Sequence, residues 1–453
     1  MKGLSAIDLI QRDLVLIGGG HSHVQVILNF AMRPLKGVRV TLISDQIYAP
    51  YSGMFPAYLA GIYSFADIHF DLSRICKNAG VRFLQAKVTG LDYQKKTIFL
   101  KKRPPLSFDV ASVNVGSEPD TSILKGDKDK LILMKPIYRF IGLWDEFIRE
   151  MNQSELKPLH IAMVGGGASG IEVALVIKKR FADKIESFHL FQSQSELLVG
   201  HNKRVKQLFE KELEANKIEL HLNSRVVELI EGGLKCSNGE TYLADKIFWA
   251  TRAAAKDWFA GSNLPTDQKG FLQVDDSLQV RNCQDLFGAG DCIQFAEQEL
   301  PKSGVFAVRE GPILAHNLRS RILNQGSSLI PYRPQKRSLA LISRGERSAV
   351  ASYGPWSFEG EWVWRWKDYI DTKFMARFRL DSPLQTGMNS LAMAPLEYDF
   401  LEEKDLDIEG KLHSCGGCGA KLGPEILSEV LASVVQEQNQ MVQVGLQDGE
   451  DGA

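Results

Sequence analysis

The feature that most constrains this chain is a strand–turn–helix pattern that occurs twice, about 150 residues apart. In LHIAMVGGGASGIEVALVI an apolar run leads into Gly165, Gly167 and Gly170 in full G-x-G-x-x-G register, followed by a helical pattern. The three glycines serve a tight turn, close approach of backbone to a diphosphate, and close packing of helix on strand. The helix start beyond such a turn presents free amide N–H groups and partial positive charge, which suits an anion. In DLVLIGGGHSHVQVILNF only the first two places are kept, by Gly18 and Gly20. His23 holds the third, which predicts looser contact between helix and strand there, and a glycine turn in some other α/β fold is the alternative for this copy.

The strands that follow each turn differ. VRVTLI ends at Ser44 and Asp45, about where an acid would take a ribose hydroxyl. SFHLF ends at Gln192 and Ser193, with no acid and no clear arginine to hold a 2′-phosphate, so NADH and NADPH both stay open. A third piece, DLFGAGDC, is an apolar strand ending in Gly288-Ala289-Gly290-Asp291. A carboxylate at a strand end beside glycine can reach the ribityl chain of a flavin; a capped turn is the simpler alternative.

Two such turns followed by G-x-G-D resemble the two-dinucleotide flavoproteins of the pyridine nucleotide–disulfide oxidoreductase superfamily, over about residues 10–380. The resemblance implies an α/β fold with two Rossmann-like domains, the NAD(P)H domain inserted into the FAD domain. It places the FAD domain at 1–125 and 272–330, the NAD(P)H domain at 126–271 and a C-terminal α+β interface segment at 331–400. Gly18, Gly20, Asp45, Gly116 (in VNVGS), Gly290 and Asp291 fall at FAD positions, and Gly165, Gly167 and Gly170 at nicotinamide-cofactor positions. The disulfide-reductase branch needs a close cysteine pair beside the flavin, and none stands in APYSGMFPAYLAG or near the second turn. Cys283 and Cys292 read as packing residues.

What remains resembles the type II NADH dehydrogenases. In ASGIEVAL, Glu172 falls where it would sit by the nicotinamide and flavin; a first-turn glutamate complementing the helix dipole is the equal alternative. Val176 holds the place of the family's second helix acid. FAVREGPILAHNL resembles the helix whose N-terminus faces the flavin pyrimidine ring, around Arg309, Glu310 and Gly311, and PYSGM, from Pro50 to Met54, is expected to line the isoalloxazine. Trp362, Trp366, Ile370 and Phe374 recur at i, i+4 in EGEWVWRWKDYIDTKFMARFRL, among basic residues. This stripe reads first as an intramolecular or dimer packing face. Contact of residues 361–380 with a membrane surface is the second reading.

The tail is of another kind. Residues 401–453 hold eleven acids against three lysines, whereas the whole chain has a net charge of -1, so the composition breaks near residue 400. A net charge so near zero gives no case for a nucleic-acid partner. HSCGGCGAKLGPEILSEVL offers Cys415, Cys418 and His413, too few ligands for a structural zinc site. Its G-x-C-x-x-K pattern followed by a helix resembles the N-terminal active segment of selenophosphate synthetase (selenide, water dikinase). By that match Cys418 handles selenium and Lys421 is the catalytic lysine, while Asp451 opens the acidic metal–ATP strand. Residues 401–453 are therefore expected to be an acidic linker and a mobile, truncated start of that enzyme, fused to the flavoprotein.

The expected activity is an FAD-dependent NAD(P)H oxidoreductase passing electrons to a quinone or to a selenium or sulfur compound. An FAD/NAD(P)H-binding regulatory module without turnover, and selenophosphate synthesis by a longer chain, are the alternatives. Six scattered cysteines make no disulfide framework and suit a reducing cytoplasm. The N-terminus lacks the pattern of a secretory signal, and no apolar run reaches the ~18 residues of a membrane span.

Overall fold

The structure is a computed structural model. It describes residues 10–379, save 123, 129–130, 154–156, 252, 296–297 and 324–328, together with the backbone of 412–415 and 419–422. The chain divides into two units, Met1–Ser382 and Pro383–Ala453.

In the first unit the apolar run before the first glycine turn forms β1 (Arg12–Ile17), and the turn opens helix α1 (His21–Met32). β1 pairs in parallel with β2 (Val38–Ser44) on one side and β3 (Val110–Val113) on the other. Arg82–Gln85 extends the sheet beyond β2, and Leu286–Gly288 extends it beyond β3. All four of these pairings are parallel, so the strands lie between helices and read as nearly continuous apolar runs. Leu14, Val15, Leu16 and Ile17 are accordingly buried in succession, without alternation.

The second glycine turn repeats the plan with β4 (Leu159–Val164), α2 (Ala168–Arg180), β5 (Ile185–Phe191) and β6 (Glu219–His221). Lys246–Trp249 and Leu131–Leu133 complete a second five-stranded parallel sheet. Every strand of this sheet falls in sequence between β3 and Leu286–Gly288, so one sheet interrupts the other along the chain. One face of the second sheet is covered by the helix Ile137–Met151, whose Phe140, Trp144 and Phe147 pack with Phe181 and Phe248. Apolar residues from the antiparallel meander of Val226–Ile230, Gly233–Cys236 and Thr241–Leu243 join Ala162, Val164 and Phe191 of the sheet in a separate small core.

The chain then forms α3 (Gly304–Ile322), which lies along α1, and an antiparallel sheet of β7 (Ala340–Glu346), β8 (Ser348–Tyr353) and β9 (Trp356–Gly360). α4 (Glu361–Ala376) follows and packs on that sheet. Gly311 lies at the α1–α3 crossing, where a Cβ would meet the end of the Gln25 side chain at 2.7 Å. In the second unit, Leu412–Cys415 and Gly419–Leu422 form an antiparallel hairpin. Lys421 lies in that second strand; Cys418 and Asp451 lie outside the described residues.

Candidate active site

Both glycine turns have the left-handed backbone and close approach that the dinucleotide motif calls for. Gly18 has φ +95°, and a Cβ on it would meet the Asn114 carbonyl oxygen at 2.4 Å; Gly165 has φ +125°, and its Cβ would meet the Ala250 carbonyl at 2.3 Å. Only glycine tolerates that combination of left-handed backbone and close approach. α1 and α2 both start from a glycine N-cap, Gly20 and Gly167, with no side-chain cap and no acid in the first turn. Their first amide N–H groups are therefore left for another acceptor. Gly167 and Gly116 look onto open space, with nothing within 4 Å of a built Cβ. Gly170 does the third duty of its motif: its Cβ would meet the Gly165 carbonyl oxygen at 2.0 Å.

At His23 the missing third glycine has a definite substitute. The ring is buried, with Nδ1 2.7 Å from the Gly18 carbonyl and Nε2 2.9 Å from Ser112 Oγ on β3. Burial lowers its pKa to about 4, so the ring is neutral. A carbonyl can only accept, hence Nδ1–H donates to Gly18 and Nε2 accepts from the Ser112 hydroxyl. The imidazole fastens the turn to the neighbouring strand, where the sequence had suggested a loosened contact.

The third strand end lies at the same place. Asn114, one residue beyond β3, donates from Nδ2 to the Ala289 carbonyl at 2.6 Å, and it is the neighbour that a Cβ on Gly20 or Gly290 would strike. Its Oδ1 is buried without a partner, as is His21 Nε2. Two orphaned polar atoms beside a glycine cradle fit a ligand that supplies hydrogen bonds, and in that respect the residues suit FAD. Asp291 Oδ2 takes the Lys135 ammonium at 2.8 Å and the Ser117 hydroxyl at 3.4 Å. Behind it Gly290 N–H donates to the buried Glu310 carboxyl at 2.6 Å, and burial raises the Glu310 pKa to about 7. Asp45 is exposed just past the end of β2.

Two expectations are corrected. The helix predicted to present its N-terminus near Arg309, Glu310 and Gly311 begins earlier, at Gly304. Gly304 is the residue that faces the Pro50–Met54 loop, since a Cβ on it would meet Ser52 Oγ at 3.3 Å. Gly311 instead serves the α1–α3 crossing. The second correction concerns α4. Trp362 and Trp366 are 54% and 39% exposed and Ile370 is 37% exposed, so of the predicted aromatic stripe only Phe374, at 9%, turns inward. The buried face is offset along the helix and carries Val363, Trp364, Lys367, Asp371, Phe374 and Met375.

That inward face supplies what sequence reasoning missed. Lys367 Nζ is buried 2.6 Å from Asp371 Oδ2 and 2.5 Å from the Gly53 carbonyl. Tyr51 OH donates to Asp371 Oδ1 at 3.1 Å, and burial raises its pKa. On α2, Glu172 is buried, and its Oε1 accepts from Ser343 N–H on β7 at 2.7 Å. Burial raises the Glu172 pKa to about 7, partly offset by the positive charge of Lys367. α4 thus brings an ammonium and a carboxyl against the Tyr51 phenol of the loop expected to line the flavin ring, and α2 sets the Glu172 carboxyl within electrostatic reach of Lys367. An i, i+4 Lys/Asp pair in the α4 segment was the one available signal, and it reads as a solvated surface pair.

Cys292 is buried, with Sγ 3.1 Å from the Ala289 carbonyl, and burial pushes its thiol up to about 12. Cys76, Cys236 and Cys283 are also buried and free. The packing role expected of Cys283 and Cys292 fits this burial, and no disulfide pair exists among the described residues.

Comparison with known proteins agrees with this geometry. The pyridine nucleotide-disulphide oxidoreductase family model matches residues 12–311. The type II NADH:quinone oxidoreductase of Staphylococcus aureus is 23% identical over 343 residues, covering 70% of this chain and 84% of the relative. Among solved structures, the sulfide:quinone oxidoreductase of Aquifex aeolicus aligns with a TM-score of 0.68 at 18% identity, covering 91% of this chain and 97% of the other. NDH2 from Plasmodium falciparum in complex with NADH aligns with a TM-score of 0.68 at 16% identity, covering 80% and 98% respectively. The chain belongs to the pyridine nucleotide-disulphide oxidoreductase family and is an FAD- and NAD(P)H-dependent oxidoreductase, like the type II NADH dehydrogenases.

Proposed function

We propose that this protein is an NAD(P)H:quinone oxidoreductase. Gly18, Gly20, Asp45, Pro50, Gly116, Gly290 and Asp291 would hold FAD, and Gly165, Gly167 and Gly170 would hold NAD(P)H, in domains with the boundaries read from the sequence. FAD held there would supply the redox chemistry that links nicotinamide oxidation to reduction of a second substrate.

The observation that carries the quinone reading is the buried set Glu172, Lys367, Asp371 and Tyr51. Reduction of a quinone to a quinol takes up two protons with the two electrons. A carboxyl held to about 7 by burial is half protonated at neutral pH, and an acid with a pKa near the working pH is the efficient donor. A sulfur or selenium acceptor would instead favour a reachable thiolate, whereas Cys76, Cys236, Cys283 and Cys292 are all buried. Exposed Trp356, Phe358, Trp362, Trp366 and Tyr369 give β9 and α4 an aromatic surface suited to the headgroup layer that holds quinones. No helix among the described residues is long and apolar enough to cross a membrane, so we read the association as peripheral. A homodimer through the same surface is the second use for it.

The finer reading of the tail, a selenophosphate synthetase segment with Cys418 and Lys421 in its active positions, rests on the G-x-C-x-x-K pattern. It makes a selenium compound the second candidate acceptor.

Glu172→Gln tests the proposal. Glutamine keeps an oxygen for the Ser343 amide but gives up the acidic proton. Because the donor is the protonated carboxyl, wild-type quinone reductase kcat falls as pH rises through about 7. In the variant this inflection disappears and kcat drops by about 10²-fold, while single-turnover reduction of the flavin by NADH is unchanged. A variant with wild-type kcat and pH profile removes Glu172 from the reaction and the quinone reading loses its support.

A further inference from the structure

The second parallel sheet carries a group of chemistry-bearing side chains that the redox site does not use. His189 on β5 lies opposite Glu219 on β6, and Phe191 lies opposite His221. Residues two apart on a strand share a face, so His189, Glu219 and His221 point to one side of the sheet. Tyr242 of the meander packs over both imidazoles, with ring centroids 5.5 Å from His189 and 4.7 Å from His221. Phe191 stacks on His221 at 4.8 Å and 14°. Both rings are therefore held in fixed orientation.

The three side chains converge on one point. His189 Nδ1 is 3.0 Å from His221 Nε2 and 3.2 Å from Glu219 Oε2, and His221 Nε2 is 4.0 Å from the same carboxylate oxygen. A triangle with those sides has its centre about 2.0 Å from every corner, which is the bond length of zinc to imidazole nitrogen and carboxylate oxygen. A hydrogen bond between the rings accounts for this arrangement less well. If Nδ1–H of His189 donates, the His221 Nε2 lone pair and the carboxylate are left as two acceptors around a single proton. A cation at the centre satisfies all three.

We propose that His189, Glu219 and His221 bind a divalent transition-metal ion of the zinc class. Two imidazoles and a carboxylate suit Zn²⁺, Ni²⁺ or Cu²⁺ and not Ca²⁺ or Mg²⁺, which take oxygen ligands. Glu219 is 66% exposed and gives an ion its entry path and a solvent position. Outside the three side chains, the Tyr242 ring that packs on His221 is itself fixed by its hydroxyl, which donates to Glu240 at 2.8 Å. The ion would clamp β5 to β6 at the start of the loop that follows β5, where Gln192 N–H donates to the His221 carbonyl at 2.9 Å.

The test uses the full flavoprotein, dialysed against a chelator and titrated with Zn²⁺ in competition with a chromophoric indicator, then with Co²⁺ as a spectroscopic probe. Cys415→Ser/Cys418→Ser is the background, so that tail thiols do not contribute. One Zn²⁺ binds per chain, Co²⁺ gives the visible bands of a low-coordinate nitrogen–oxygen site, and affinity falls at least about tenfold in Glu219→Gln and further in His221→Gln. Glu219 is mostly exposed, so its variant folds whatever becomes of the His221 one. Absence of stoichiometric Zn²⁺ binding in the background chain, or binding of unchanged affinity in Glu219→Gln, overturns the proposal.

Discussion

Replacing Lys367 with methionine isolates the physics of the candidate site. The ammonium is about 6% exposed, within 2.6 Å of Asp371 and 2.5 Å of the Gly53 carbonyl. Methionine keeps most of the volume and leaves Asp371 as a buried carboxylate with only the Tyr51 hydroxyl against it. Breaking a buried pair from one side costs about 3–5 kcal/mol, because the remaining charge has lost its solvent and its partner. Replacing both partners, as Lys367→Met/Asp371→Leu, removes that uncompensated charge. The Tyr51 hydroxyl then lacks its acceptor, a loss of about 1–3 kcal/mol. The double variant is thus more stable than the single one by roughly 2 kcal/mol, despite carrying one more substitution. Thermal unfolding of the purified flavoproteins reads this order directly: wild type highest, double variant between, single variant lowest. Lys367 also lowers the Glu172 pKa, so the kcat inflection moves to higher pH in Lys367→Met. A single variant as stable as wild type, or a double variant as unstable as the single, refutes the reasoning.

Three other variants separate elements of the account. Gly165→Ala forces a side chain into φ +125° and against the Ala250 carbonyl, whereas Gly116→Ala meets open space at φ +66°. The first abolishes NAD(P)H binding in a nucleotide titration; the second costs about 1–2 kcal/mol of backbone strain and keeps the protein folded, with weakened FAD retention measured by the flavin-to-protein absorbance ratio. Trp362→Glu/Trp366→Glu lowers co-sedimentation with anionic lipid vesicles at least severalfold, while reduction of a water-soluble quinone keeps its wild-type rate.

What the chain showed in advance follows from the range of the interactions involved. Glycine register, buried parallel strands and the G-x-G-D turn are local patterns, and Gly18, Gly165 and Gly170 each have the close backbone contact that their motif demands. His23 was visible as a departure, yet its meaning needed Ser112, 89 residues away. α4 went wrong for the reason that amphipathic reasoning often does. Of the uses read for the aromatic stripe, packing within the chain is the one that fails, because the helix is docked by a Lys367–Asp371 pair that binds Gly53 and Tyr51, over 300 residues earlier. The environment of Glu172 is likewise tertiary: burial raises its pKa, while Lys367 and the Ser343 N–H on β7, both far along the chain, hold it back. His189 and His221 are distant in sequence and meet only because β5 and β6 pair in parallel.

The central claim is that two diphosphate cradles and a buried proton store make this chain pass electrons from NAD(P)H to a quinone. Anaerobic addition of NADH or NADPH to the purified yellow protein tests it most directly. The account predicts bleaching of the flavin absorbance, followed by full return of colour when a ubiquinone or menaquinone analogue is added. A protein that stays yellow with both nucleotides, or that bleaches and is not reoxidised by either quinone, contradicts it.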